Sequence, residues 1–278
     1  MRTSLIVSLT LAATVPLAAQ WLHYPTPGVP RSPDGKPNLS APTPRAADGK
    51  PDLSGLWSPG QTRLTGRGKS FANANGRDLN SAFFDVAWGL KDGLPYQPWA
   101  AELALQRNGT APQDTPETKC LPNSLVQKAA GPGAIHMQKI IQTPGLLIIL
   151  YERNVEYRQL FTDGRPLPAD PNPSWNGYST GKWDGDTLVV QTNGFRDDTW
   201  IDFFGTPLTS SALITERFRR PTYGQLQLEI TVDDPKAYTA PWTLTTDRSL
   251  VLDTELLEYV CLENERDNGR IHNPTAGK

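Results

Sequence analysis

The sequence predicts a mainly β protein: an antiparallel meander closing into a barrel, preceded by a short helical insertion. Three observations carry this. From Gly133 onward, apolar and polar residues alternate in short runs separated by turn residues, which is the period of half-buried strands. Ser179–Thr192 (STGKWDGDTLVVQT) reads as a hairpin about Asp184-Gly185, since a type I′ turn needs positive φ at both central residues and Asp-Gly supplies it. With the strand at Trp57 the chain offers about nine or ten strands, nearly all joined by short turns, which favours an antiparallel barrel or a strongly curved sheet. A β-sandwich is the alternative arrangement of the same strands.

Residues 1–20 read as a signal peptide. Arg2 gives a positive start, Leu5–Leu17 is apolar, and Ala18-Ala19-Gln20 is a plausible cleavage zone. The run is shorter than the ~20 residues of a membrane-spanning helix, and no other stretch is apolar enough to span a bilayer. An uncleaved anchor or a buried strand is the alternative. The expected location is therefore exported, periplasmic or extracellular.

Residues 21–53 form a Pro-rich arm with an internal repeat: Arg31-Ser-Pro-Asp-Gly-Lys-Pro-Asn-Leu-Ser40 recurs as Arg45-Ala-Ala-Asp-Gly-Lys-Pro-Asp-Leu-Ser54. Asp-Gly-Lys-Pro is turn chemistry, because Gly permits positive φ and Pro holds its predecessor extended. The arm is either a tether or a strap lying across the domain, with Trp21, Leu22 and Tyr24 for grip. Residues 54–278 are expected to form one β-rich domain, with 60–135 as a helical and irregular insertion.

Within the insertion, Ser81–Leu90 carries apolar residues at helical spacing. Pro98–Asn108 is better marked, with Pro in its first turn and Asn108-Gly109 as the stop, and Trp99, Leu103 and Leu105 set to dock it. Asn123–Ala130 adds a turn or two. The strands then follow: Met137–Gln142, Leu146–Tyr151, Val155–Phe161, the Asp184-Gly185 hairpin, Ser211–Arg220, Leu226–Asp233, Trp242–Thr246 and Leu256–Leu262. A Pro-rich excursion, Pro166–Trp175, and an aromatic loop, Gly194–Pro207, interrupt them.

With 27 basic and 29 acidic residues the formal charge is −2, which leaves no electrostatic footprint for nucleic acid. The two cysteines, Cys120 and Cys261, are an even number in an exported chain, so a disulfide is the natural reading, clipping the region before the meander to the last strand. Two buried thiols or a catalytic thiol are the alternatives. The three histidines are dispersed, so no zinc site is expected, and no phosphate-cradling loop or nucleotide fingerprint is present; no cofactor is expected.

Strand alternation sorts the candidate site residues. Ile214, Glu216 and Phe218 share one face of their strand, so Glu216 sits among apolar neighbours and needs a partner. Arg158, on a face with Leu160, is the candidate. The pair is a buried structural one, a ligand-orienting or general-acid group, or an exposed pair. Glu255, Glu258 and Glu263 cluster about Cys261; one of them near Glu216 would make two carboxylates for glycoside-type acid–base chemistry. Asp197, Asp198 and Asp202 are oxygen-rich, but their spacing matches no calcium loop. Ser179 lies in Gly177-Tyr-Ser-Thr-Gly181, a strand setting that argues against a nucleophile elbow. Trp175, Tyr178, Trp183, Phe195, Trp200, Phe203 and Phe204 form either an aromatic rim for an apolar or carbohydrate ligand or a small core closing one barrel end.

Several stretches in combination, Asp48–Trp57 (DGKPDLSGLW), Cys120-Leu-Pro122, Gln142–Gly145, Thr162–Pro168 (TDGRPLP), Gly185–Val190 (GDTLVV), Thr215–Arg220 (TERFRR), Asp233–Trp242 and Glu258–Asn264 (EYVCLEN), resemble a family of uncharacterised exported bacterial β-rich proteins. The resemblance covers nearly the whole mature chain. It implies export and a β-rich domain and brings no activity. Members often carry His-Ser where this chain has Leu208-Thr209, so any role of that His is absent here. More weakly, Gly55-x-Trp57 opening the first strand resembles the lipocalin-type calycin barrels, where the Trp plugs the barrel end.

The expected function is a binding module holding a small apolar or glycan-like ligand in the barrel or at its aromatic rim, with Arg158, Trp183, Trp200, Glu216 and Glu258 as candidate contacts. The alternatives are a hydrolase or lyase using inward carboxylates, and an envelope interaction protein without a pocket. The balance leans away from an enzyme.

Overall fold

The computed structural model describes residues 25–62, 86, 93–110, 113–130 and 136–263. The expected signal peptide, Trp21, Leu22 and Tyr24 of the arm, and the Ser81–Leu90 helix apart from Val86 lie outside them. Among these residues, eleven strands and two helices follow in chain order. They are β1 (Gly55–Thr62), α1 (Pro98–Thr110), α2 (Leu125–Ala130), β2 (Gln138–Thr143), β3 (Leu146–Tyr151), β4 (Tyr157–Phe161), β5 (Tyr178–Asp184), β6 (Thr187–Asn193), β7 (Thr199–Trp200), β8 (Pro207–Leu208), β9 (Leu213–Thr222), β10 (Gln225–Asp233) and β11 (Trp242–Val251).

Nine strands close a barrel in the order β1-β11-β10-β9-β6-β5-β4-β3-β2, with β2 returning to β1. That closure excludes the sandwich. All neighbours are antiparallel except β4 and β5. The exception is forced: strands alternating up and down around a ring close only if their number is even, so nine strands require one parallel pair. The Pro-rich excursion between β4 and β5 carries the chain back along the barrel to make it. The β4–β5 ladder has only two residue pairs, Leu160↔Ser179 and Phe161↔Thr180, leaving a thin seam.

The period-2 alternation reads directly in the burial. Ile214, Glu216, Phe218 and Arg220 of β9, Leu226, Leu228, Ile230 and Val232 of β10, and Trp242, Leu244, Thr246 and Arg248 of β11 all point inward. Each fully buried Leu or Ile contributes ~1.5–3 kcal/mol relative to exposure. The hairpin at residue 184 forms, but its loop is Gly185-Asp186, with Asp184 paired to Thr187. Gly185 has φ +59° and Asp186 no positive φ, so the expected I′ turn about Asp184-Gly185 is replaced by one needing positive φ at its first position only.

One end of the barrel is closed by the arm, which is a strap in this structure. The two repeats fold alike: Arg31 and Arg45 each donate to the carbonyl of the loop glycine, Gly35 or Gly49, and bridges pair Arg31 with Pro37 and Arg45 with Pro51. Leu53 is fully buried, and Arg45 grips Asp186 through two bonds of 2.6 and 2.7 Å. Arg220 donates to the carbonyls of Asp52 and Ser54 and lies 4.9 Å above the Trp57 ring, joining the first strand to the second half of the chain.

The opposite end carries α1, α2 and the β7–β8 pair. Asp202 accepts from the backbone of Phe204 and Thr206, and Tyr238 donates to Pro207 O. Helix α1 docks through Ala100 and Ala104 rather than through the expected Trp99 and Leu105, which are over 40% exposed. Trp99 instead donates its indole N–H to Lys236 O at 2.8 Å. Leu256–Leu262 is not a strand: among the described residues, a single bridge, Arg153↔Tyr259, is its only pairing of that kind.

Candidate functional site

Where the β4–β5 backbone ladder thins, a side-chain network takes over. Arg158 of β4, only 3% exposed, donates to Ser179 of β5 at 3.0 and 3.1 Å, to Thr192 of β6 at 2.8 Å, and to both carboxylate oxygens of Glu216 on β9, one at 3.1 Å. Ser179 and Thr192 also share a hydrogen bond of 3.0 Å. One guanidinium thereby ties four successive strands. Burial opposes its charge, but the Glu216 carboxylate and Tyr151 more than offset this, and the Arg158 pKa is raised. Every bond of this fork goes to the barrel, so its geometry is that of a structural clasp.

Beside it, α2 packs Leu125, Val126 and Ala129 inward and turns Lys128 onto Glu156 Oε2, with Asn176 Oδ1 at 2.8 Å and the Tyr151 ring 5.1 Å away. Burial pulls the Lys128 pKa down, while Glu156 pulls it back. Burial pushes the Tyr151 phenol up to about 12. Glu156 Oε1 is buried and has no hydrogen-bond partner.

Glu156 stands at the end of a groove of about 690 Å³ on the outer face of the barrel. One wall is β3 and β4, through Ile148, Leu150, Tyr157 and Gln159; the other is Leu256, Leu257 and Glu258. Val155 forms the end with Glu156. Its φ is +50°, following Asn154 at +57°, a conformation that is a genuine outlier for a β-branched residue. Such strain costs roughly 1–3 kcal/mol and collects at ligand clamps and switch regions. The same turn holds two further buried polar atoms without partners, Arg153 Nε and Asn154 Nδ2.

The second wall is held from a distance. Cys120 and Cys261 form a disulfide, Asn154 N donates to Tyr259 O at 2.7 Å, Tyr259 N donates to Glu152 O at 3.1 Å, and His136 packs on the Tyr259 ring at 5.0 Å. The disulfide therefore clips the insertion to a segment beyond the last strand, and that segment is the groove wall. A second outer groove, about 330 Å³, lies over β9–β11 and carries both signs of charge in Arg217, Arg219, Glu229 and Asp247. It reads as a solvated strand face.

The sequence-derived candidates do not converge. Arg158 and Glu216 meet. Trp183 is half-buried at the strap end of the barrel, packed on the core. Trp200 is buried in the β7–β8 cap beneath Arg107, 5.1 Å from its ring. Glu258 lies on the outer groove. Glu216 faces inward while Glu255 pairs with Lys139 and Glu258 lines the outer face, so no inward carboxylate pair forms from them. Asp197 accepts from Ser210 N, Asp198 pairs with Arg196, and no cluster of three or more metal-ligating residues occurs among the described residues.

Sequence reasoning missed Lys128, Glu156 and Arg248. Arg248 was within reach: extending the Trp242, Leu244, Thr246 alternation by one step places it inside. Lys128 and Glu156 carried no local signal. No family model and no curated protein matches this chain.

Proposed function

We propose that this is an exported binding protein whose ligand lies in the outer groove between β3–β4 and Leu256–Glu258. The observation that carries the reading is the apolar-walled groove itself, with Glu156, whose Oε1 is buried without a partner, among its lining residues. A buried acceptor without a donor costs ~1–3 kcal/mol, which a donor on a ligand would recover. The volume falls within the ~300–1,000 Å³ usual for small-molecule sites, and apolar walls with few polar groups are their usual lining. Lys128 already neutralises Glu156, so the chemistry favours a ligand with an apolar body and one neutral N–H or O–H donor. The disulfide fits an oxidising compartment, and no helix among the described residues is long and apolar enough to cross a membrane.

N-phenyl-1-naphthylamine has this chemistry and fluoresces when it leaves water. Saturable enhancement on titration is expected. Leu257→Asp, a change at a partly exposed position, puts a charge on the apolar wall and should weaken binding at least about tenfold. No saturable signal, or an affinity unchanged by Leu257→Asp and Tyr157→Ala together, refutes the groove as the site.

A further inference from the structure

We propose that the barrel interior holds a small monovalent anion, a halide or a carboxylate, as the counter-ion of Arg248 beneath helix α2. Arg248 follows Thr246 on the inward face of β11 and is 2% exposed. Its Nη2 donates to the carbonyls of Lys128 and Ala129, at 3.0 and 2.6 Å, in the last turn of α2. Those bonds satisfy helix-end carbonyls that have no partner within the helix. Its Nη1 is buried and has no partner.

Among the described residues, the charges around it do not balance. Three buried cations, Lys128, Arg158 and Arg248, face two carboxylates, Glu156 and Glu216. Glu156 belongs to Lys128. Both oxygens of Glu216 are taken by Arg158. Tyr151 and Glu216 are the acidic groups that act on Arg248, and burial keeps the Tyr151 phenol neutral at physiological pH. Burial lowers the Arg248 pKa only to about 10, so the guanidinium keeps its charge. An ion buried without a counter-charge is far more costly than a paired one. Carbonyl dipoles offset part of that cost; an anion on Nη1 supplies the missing charge. The site is independent of the outer groove and stands or falls without it.

The test is thermal unfolding of the full chain at fixed pH and ionic strength, with sulfate replaced stepwise by chloride, bromide or acetate. A saturable rise of the melting temperature is expected, reaching about a 100-fold shift in the unfolding equilibrium at a hundred times the dissociation constant. A rise with the halides alone marks an inorganic ion; a rise with acetate alone marks an organic carboxylate. Arg248→Met should abolish the dependence. If that variant does not fold, bromide-soaked crystals of the wild-type chain replace it, and an anomalous peak within about 3.5 Å of Nη1 is expected. A melting temperature indifferent to anion identity, a dependence surviving in Arg248→Met, or no bromide at Nη1 in those crystals overturns the proposal.

Discussion

Glu216→Gln isolates what the Arg158 clasp contributes. The substitution keeps the side-chain shape and removes one charge, leaving Arg158 buried among Ser179, Thr192 and a neutral amide. Breaking one partner of a buried ion pair costs ~3–5 kcal/mol, because the remaining charge is uncompensated. For a domain of this size each kcal/mol moves the melting temperature by ~2–4 °C, so a fall of roughly 6–20 °C is expected. Arg158→Met with Glu216→Leu removes both charges and should lie within ~2 kcal/mol of the parent, with Ser179 and Thr192 keeping their mutual bond. Urea unfolding followed by circular dichroism, together with probe titration, reads both quantities. If Glu216→Gln loses less than ~1 kcal/mol, or the apolar double variant falls as far as the single one, the pair is not a clasp closing the seam. If stability holds while probe binding collapses, the pair belongs to a ligand site instead.

The remaining expectations concern the groove and its supports. Replacing Cys120 and Cys261 together by Ser should cost up to ~5 kcal/mol in the chain-entropy account for a sequence separation of 141, and should loosen probe binding at least tenfold, measured by unfolding and titration. Val155→Gly should stabilise the fold by about 1 kcal/mol, as strain relief outweighs Gly entropy, while weakening the probe; a clear loss of stability would refute the strain. Burial lowers the pKa of half-buried His136 below 6.5, with Glu152 pulling back. The unfolded chain therefore takes the proton first, and stability should fall as pH drops through 6.5 and below. His136→Gln should flatten that slope in urea midpoints measured between pH 7.5 and 5.

The barrel was legible because its strands are half-buried and the alternation is written residue by residue. Ile214, Glu216 and Phe218 announce their face, and Glu216 on it announces the need for a cation. The repeat was equally local, since Asp-Gly-Lys-Pro folds the same way twice. The groove was not legible. Leu256–Leu262 has the composition of a strand, and only the lack of a neighbouring ladder turns it into a wall. Among the described residues, Arg153↔Tyr259, in the turn between β3 and β4, is the one bridge it makes.

By itself, then, the sequence determined the strand alternation, the repeat in the arm, the even pair of cysteines and the inward Arg158–Glu216 faces, all consequences of short-range periodicity or of cysteine number. Tertiary structure alone decided the rest. It closed nine strands with one parallel seam, set Lys128 on Glu156 and left Glu156 Oε1 and Arg248 Nη1 without partners. The physical reason is that hydrogen-bond satisfaction and charge balance are properties of a neighbourhood, assembled from residues far apart in the chain.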